Sequence, residues 1–233
     1  MSSGTAEALV RGSPEALRFV LAPVRLTAAR RAALGTFLRH LARGERVAER
    51  IAAQQAEFAP DPHAARFHRA QARQEAMHAR LFDLAAARFD APALDVRDCP
   101  YERYAARLAA AADRRDYADT VVGAQVVLEA LGDALLERLD AGIARHGAGL
   151  GAIRRLLRAQ EAAHHAFGLA RVEAYARSFE RRSELQTSAR GYLALADAMI
   201  ASGAPALEHF GVPANEIAQN MRARLPAWMI AEP

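Results

Sequence analysis

The chain has 233 residues, of which 52% are hydrophobic and 25% charged, as expected for a globular protein with one sizeable core. No apolar run approaches the roughly 20 residues that a membrane-spanning helix requires, so a membrane protein is not expected. The net charge of +4 comes from arginine alone, because the chain contains no lysine. These arginines alternate with acids along predicted helices, which favours solvated helix faces and makes nucleic acid a disfavoured partner.

The N-terminal residues and the cysteine content bear on localisation. Residues 1–26 predict a tail with a short helix, because they lack the basic start and apolar block of a signal peptide. The single cysteine, Cys99, cannot form an internal disulfide, which fits a reducing compartment. The predicted localisation is therefore cytoplasmic.

The first predicted unit is a helical hairpin. Helix A is expected over residues 28–57, with Thr27 as its N-cap, and carries Glu45 on an otherwise apolar stripe. Prolines around residue 61 end it, and helix B follows over residues 62–89. Helix B contains Glu75 and His78, which at a spacing of three leave the same helix face.

The second predicted unit repeats this arrangement. Helix C is expected over residues 117–144 and carries Glu129, and helix D over residues 151–178 carries Glu161 and His164. A glycine-rich reversal at residues 146–149 joins them. The connection from B to C is long, with chain breakers at 90–92 and 98–100 and a short helix at 101–111, so it can cross the bundle and make B and C parallel.

The predicted fold class is therefore all-α, a four-helix bundle with a long B–C crossover and additional C-terminal helices. Those helices are expected at residues 188–201 and 213–224, with a turn near Leu207. The predicted divisions are a tail at 1–26, the bundle at 27–180 and the C-terminal helices at 181–233.

The paired Glu-x-x-His patterns predict a site for two metal ions. One such pattern on a helix is weak, but two copies, each with an upstream glutamate at a similar distance, are far more specific. Carboxylates can bridge cations, and imidazole favours iron over magnesium or calcium. Without metal, four inward carboxylates would be costly. The predicted ligands are Glu45, Glu75, His78, Glu129, Glu161 and His164.

Two further acids are candidate catalytic residues. Glu49 lies one turn after Glu45, but Glu45 is level with Glu75 across the hairpin and is the preferred ligand. Asp133 lies one turn after Glu129 and is expected either to support a metal-binding histidine and relay protons or to form a salt bridge. Gln125 and Phe82 are expected to line a substrate pocket. Solvated or helix-end positions are expected for the histidines without a partner pattern, namely His40, His63, His68, His146 and His209.

With these six residues the chain resembles the ferritin-like di-iron carboxylate superfamily, over roughly residues 28–178. The resemblance implies two iron ions, or a manganese–iron pair, with O2 as co-substrate. Phe82 stands where the small subunit of ribonucleotide reductase carries its radical tyrosine, and Asp133 where bacterial multicomponent monooxygenases carry threonine. The chain is therefore more similar to the stand-alone oxidase and oxygenase branch.

The resemblance implies an O2-activating oxidase or oxygenase that acts on a small organic substrate and receives electrons from a separate reductase. Two alternatives stay open within the same fold: a ferroxidase or peroxide-detoxifying protein, and a tRNA-modifying di-iron hydroxylase. A bundle that has lost its metals is disfavoured because all six ligand types are present. A homodimer is left open.

Overall fold

The computed structural model describes residues 26–89, 99–144 and 151–231. The described chain is helical and contains no strand, which confirms the predicted all-α class. The short helix predicted in the tail, the extended part of the B–C connection and the reversal at 146–149 lie outside the described residues. The helices are α1 (Ala28–Phe58), α2 (Pro62–Ala87), α3 (Pro100–Asp113), α4 (Tyr117–Val121), α5 (Glu129–Ala144), α6 (Gly151–Tyr175), α7 (Phe179–Glu208), α8 (Ala214–Ala223) and α9 (Ala227–Ile230), with a π-helical segment, Val122–Leu128, between α4 and α5.

Local sequence explains the α1–α2 hairpin. The Thr27 side chain accepts a hydrogen bond from the backbone N–H of Arg30, and Asp61 caps α2 by accepting from the N–H of Ala64 at 2.8 Å. Pro62 occupies the first turn of α2, where no intrahelical donor is needed. Only three residues separate the two helices, so they pack side by side in opposite directions.

Contacts between the helices set the orientation of the second hairpin. Gln55 on α1 bonds Gln125, while Leu41, earlier on α1, and Leu135, later in α5, line one cavity, so α1 and α5 are antiparallel. Asp133 on α5 bonds Arg158 on α6, and Gln125 lies against Gly168, so α5 and α6 are also antiparallel. It follows that α2 and α5 run in the same direction.

The π-helical segment is packed on all sides by neighbouring helices. Each of its seven residues is buried, and π-helical turns of this kind often occur at functional sites. Gly123 faces the Tyr192 ring and Leu108, and a β-carbon added there would lie 2.5 Å from the ring. Gly123 therefore serves close helix packing, the more common use of small residues in such a position.

Gly168 on α6 permits the close approach of α6 to the same segment. A β-carbon at this position would lie 2.6 Å from the Gln125 β-carbon and 2.9 Å from its backbone carbonyl carbon.

We expect Gly168→Ala to lower the free energy of unfolding by about 1–2 kcal/mol, because the overpacking cost exceeds the helix-propensity gain. The matched control is Gly44→Ala on α1, where an added β-carbon meets nothing within 4 Å. That change should leave stability unchanged or raise it by up to about 1 kcal/mol. Urea unfolding measures both, and equal effects from the two substitutions would contradict the packing argument.

The C-terminal part differs from the prediction. Residues 179–208 form one helix, which starts where Ser178 accepts a hydrogen bond from the N–H of Arg181 and continues past Pro205. Ser188, the predicted helix start, lies inside α7, and its hydroxyl donates to Asp119. A serine can cap a helix or bond a neighbouring one, and only the packing of α7 against α4 decides between these. Among the described helices, none combines the length and apolar character that crossing a membrane demands.

Candidate metal centre

The structure brings the six predicted ligand residues together in the core of the bundle. Glu45 is contributed by α1, Glu75 and His78 by α2, Glu129 by α5, and Glu161 and His164 by α6. Five of the six are buried, and Glu45 is partly exposed. Helical spacing places each carboxylate beside its histidine, and the two hairpins place the four helices around one point.

The six side chains form two overlapping groups that could each hold a metal ion. One group contains Glu45, Glu75, His78 and Glu161, and the other contains Glu75, Glu129 and His164; within each group the candidate ligand atoms all lie within 4.8 Å of one another. His78 Nδ1 lies 3.1 Å from Glu75 Oε2, and His164 Nδ1 lies 3.0 Å from Glu75 Oε1. Glu75 is therefore the residue that the two groups share, one oxygen toward each histidine.

Each histidine is oriented by a glutamine from the opposite hairpin. Nε2 of His78 lies 2.7 Å from the amide oxygen of Gln160, and Nε2 of His164 lies 2.7 Å from that of Gln74. Because an amide oxygen only accepts, each Nε2 carries the proton and donates it. Nδ1 is thereby directed at the carboxylates and can offer a lone pair to a metal ion.

A chain of three buried glutamines extends from the carboxylates toward α1. The Gln71 amide donates to Glu75 Oε1 at 3.0 Å and to Glu129 Oε1 at 2.7 Å. The Gln71 oxygen accepts from Gln125, which exchanges two hydrogen bonds with Gln55. The sequence patterns did not predict the hydrogen bonds of any of these glutamines. A signal was present for Gln74 and Gln160, because each directly precedes the glutamate of a Glu-x-x-His pattern.

Burial and mutual repulsion dominate the protonation of the centre. The pKa of Glu45 is raised well above its usual value, mainly by burial and next by the charge of Glu161. The pKa of Glu129 is also raised well above its usual value, by burial and then by the charges of Glu161 and Glu75. Burial also opposes ionisation of Glu75, but His164 and His78 outweigh it and lower the pKa of Glu75. These shifts have the pattern expected of a site that needs positive charge.

Several buried polar atoms of the centre have no hydrogen-bond partner. They are Glu75 Oε2, Glu161 Oε1 and Nδ1 of both His78 and His164. All four atoms face the interior of the cluster, and each is a carboxylate oxygen or an imidazole nitrogen. Leaving such atoms without a hydrogen bond is costly, whereas one divalent cation in each group would satisfy them. The residues present therefore fit a metal pair.

The two candidate catalytic acids lie outside these groups. Asp133 accepts hydrogen bonds from Arg158 at 2.9 Å and Arg224 at 2.8 Å, so the structure contains the salt bridge rather than a contact with the centre. Glu49 is half-buried on α1 and belongs to neither metal-binding group. Each of these acids lies one helical turn from a ligand glutamate and is therefore displaced along the helix axis from the level of the centre. Arg158 and Arg224 also hold the Asp133 carboxylate by hydrogen bonds.

A cavity of about 40 Å³ lies beside the carboxylates, but its lining differs from the prediction. Glu45, Glu129 and Glu161 form its polar end, and the remaining lining is His40, Leu41, Gly44, Ala48, Tyr101, Leu128, Leu131, Gly132, Leu135 and Met199. Phe82 and Gln125 are buried elsewhere, Gln125 in the glutamine chain.

Two of the histidines expected at solvated positions are buried. His40 stacks on Tyr101 at a ring distance of 5.2 Å in this cavity, and His68 Nε2 lies 2.7 Å from the Tyr117 hydroxyl. A lone histidine has no sequence pattern that could have indicated these contacts.

Comparison with known proteins neither adds to this geometry nor contradicts it. No protein-family model matches the chain. No curated protein matches it either.

Proposed function

We propose that this chain is a di-metal oxidoreductase of the ferritin-like kind, which activates O2 and oxidises a small organic substrate. One observation carries the proposal: two overlapping Glu/His groups share Glu75 in the core and leave four ligand-type atoms unpaired. Carboxylate oxygens and imidazole nitrogens that converge at 3.0–3.1 Å without a hydrogen bond are the arrangement that a bound cation would satisfy.

Two iron ions, or one manganese and one iron ion, would supply O2 binding and electron transfer when bound. The chain's own contribution is to hold the carboxylates and histidines in place. Gln160 and Gln74 orient the histidines, while Gln71 donates to Glu75 and Glu129 and limits their rotation. Electrons would come from a separate reductase.

The superfamily assignment rests on the ligand order and on helix direction. The glutamates and Glu-x-x-His pairs alternate along the chain, and α2 and α5 run in the same direction, as a bundle with one long crossover requires. The π-helical segment directly before Glu129 supports a functional rather than purely structural use of this helix.

An organic substrate is favoured over iron itself by the lining of the cavity beside the centre. Away from the three carboxylates its walls are mainly leucine, alanine and methionine, so this small cavity would take an apolar group of a substrate rather than a hydrated cation. Among the described residues that line it there is no arginine, which disfavours the tRNA-modifying alternative.

The test begins with the metal-stripped chain, loaded anaerobically with ferrous iron, counted for metal and then exposed to O2. We expect about two iron ions per chain and a near-ultraviolet and visible absorption change that depends on O2. With a reductant present, a panel of small organic compounds should contain some that raise O2 consumption. Glu49→Gln is the matched control and should keep both ions, because Glu49 lies one turn from Glu45 and outside both groups.

Each rival has a distinct outcome. Oxidation of many ferrous ions per chain, with no compound affecting O2 consumption, would indicate a ferroxidase instead. Tight RNA binding that weakens steeply with salt would replace it with the RNA-directed hydroxylase. Fewer than one bound iron ion per chain would contradict the proposal that these residues form a di-metal centre.

A further inference from the structure

A second cavity, of about 510 Å³, contains none of the six ligand residues. It lies where α3, the α3–α4 turn, α4, α6 and α7 meet, and its charged lining is Arg107, Arg115, Arg181, Asp116, Asp119 and Glu184. The cavity is therefore much larger than the one beside the carboxylates and far more polar.

The acids of this cavity are already engaged. Asp116 accepts from the N–H of Asp119 at 3.0 Å, and Asp119 accepts from the Ser188 hydroxyl and from Arg114. Glu184 pairs with Arg181 at 2.8 Å. Their negative charge is thus partly offset within the protein, and no carboxylate of the described ranges pairs with the other two arginines, Arg107 and Arg115.

Arg107 is held in the cavity wall without an anionic partner. Its guanidinium lies 4.5 Å from the centre of the Tyr192 ring, in space that the missing side chain of Gly191 leaves open. Its Nε is buried and makes no hydrogen bond, and no acid among the described residues forms an ion pair with it. A guanidinium that lines a cavity and lacks an anionic partner can form charge-assisted hydrogen bonds to the anionic group of a ligand.

Arg115 occupies a strained backbone position on the same cavity. Its φ is +54°, and it is the only non-glycine residue with positive φ in the described chain. The N–H of Arg115 bonds the carbonyl of Ala112, and the N–H of Asp116 bonds that of Ala111, so Arg115 stands where a helix-ending turn normally has glycine. Side chains kept at such positions often serve a function. Its side chain donates to the backbone carbonyl of Glu57 at 3.4 Å and lies 5.7 Å from the centre of the Phe58 ring, and within the described part of the chain it pairs with no carboxylate.

We propose that this cavity binds an anionic organic molecule whose phosphate or carboxylate group is held by Arg107 and Arg115. The rings of Tyr117 and Tyr175 and the side chain of Leu185 form the apolar part of the lining and would contact a flat ring or short apolar body. This site is independent of the metal centre and does not require the proposed oxidation.

Isothermal titration of the full-length chain with phenyl phosphate, benzoate and inorganic phosphate tests the proposal. We expect one site per chain that prefers at least one aromatic anion to inorganic phosphate. The stronger of phenyl phosphate and benzoate identifies which anionic group the arginines hold. Arg107→Gln and Arg115→Asn should each weaken binding by about tenfold or more, because each removes a charge-assisted hydrogen bond.

Matched variants separate binding from folding. Asparagine tolerates the positive φ, so the thermal midpoint of Arg115→Asn should not fall. Arg115→Gly should raise the midpoint by about 2 °C and weaken binding by about tenfold or more, as Arg115→Asn does. Arg103→Gln, on the exposed face of α3, is the charge control and should bind as the unmodified chain does. The proposal is overturned if none of the three anions binds below about 10 mM, a weak-interaction limit, or if Arg103→Gln weakens binding as much as Arg107→Gln.

Discussion

Replacing Glu75 by alanine is expected to reduce the metal content to well below one ion per chain, the largest effect of any single substitution. Glu75 belongs to both ligand groups, with one oxygen near each histidine. Its loss removes a ligand from both positions and a carboxylate from beside each histidine. O2-dependent absorption changes should disappear with the metal.

The histidine variants should behave differently from Glu75→Ala. His78 belongs to one group and His164 to the other, so His78→Ala and His164→Ala should each retain about one ion per chain. Metal analysis after anaerobic loading and desalting measures all three, and far-ultraviolet circular dichroism checks that each variant is folded. If Glu75→Ala bound as much metal as either histidine variant, a shared ligand at this position would be ruled out.

Acidification should destabilise the protein through His68, by about 3 kcal/mol. Burial lowers the pKa of His68 from 6.5 to about 4, because the enclosed ring loses the solvation that would stabilise its charged form. The unfolded chain therefore takes up the proton before the folded chain does. The stabilising contribution is fully present above pH 6.5 and is lost as the pH falls toward about 4, at roughly 1.4 kcal/mol per pKa unit.

Urea unfolding of the metal-free chain between pH 7 and pH 4 measures this effect against His68→Gln. Other groups titrate in the same range, so the difference between the two proteins, rather than either slope, reports His68. Between pH 7 and pH 4, the free energy of unfolding of His68→Gln should fall by about 3 kcal/mol less than that of the unmodified chain. His63→Gln, exposed on the same helix, should follow the unmodified chain. Parallel curves for all three proteins would exclude His68 as the source.

The helical class and the residues of the cluster were accessible from sequence because both depend on local spacing. Apolar periodicity predicted α1, α2 and α6 nearly to their ends, but the single helix predicted over residues 117–144 is divided into α4, the π-helical segment and α5. A spacing of three put Glu75 beside His78 whatever surrounds them. The hairpin symmetry that preferred Glu45 over Glu49 is also a local property, since the short turn sets which residues are level. The use of the cluster for metal and O2 stays a prediction.

The partners of these side chains were decided by the tertiary structure. Asp133 pairs with Arg158 and Arg224, residues 25 and 91 positions later in the chain, and no spacing rule selects an arginine among many at such separations. The same holds for Gln74 and Gln160, which bond histidines across the bundle, and for the burial of His68 against Tyr117. Sequence alone determined which faces of the helices carry glutamate and histidine, because a helix repeats every 3.6 residues. Only packing decided which arginines, glutamines and tyrosines those faces meet, because such contacts join residues that the chain keeps far apart.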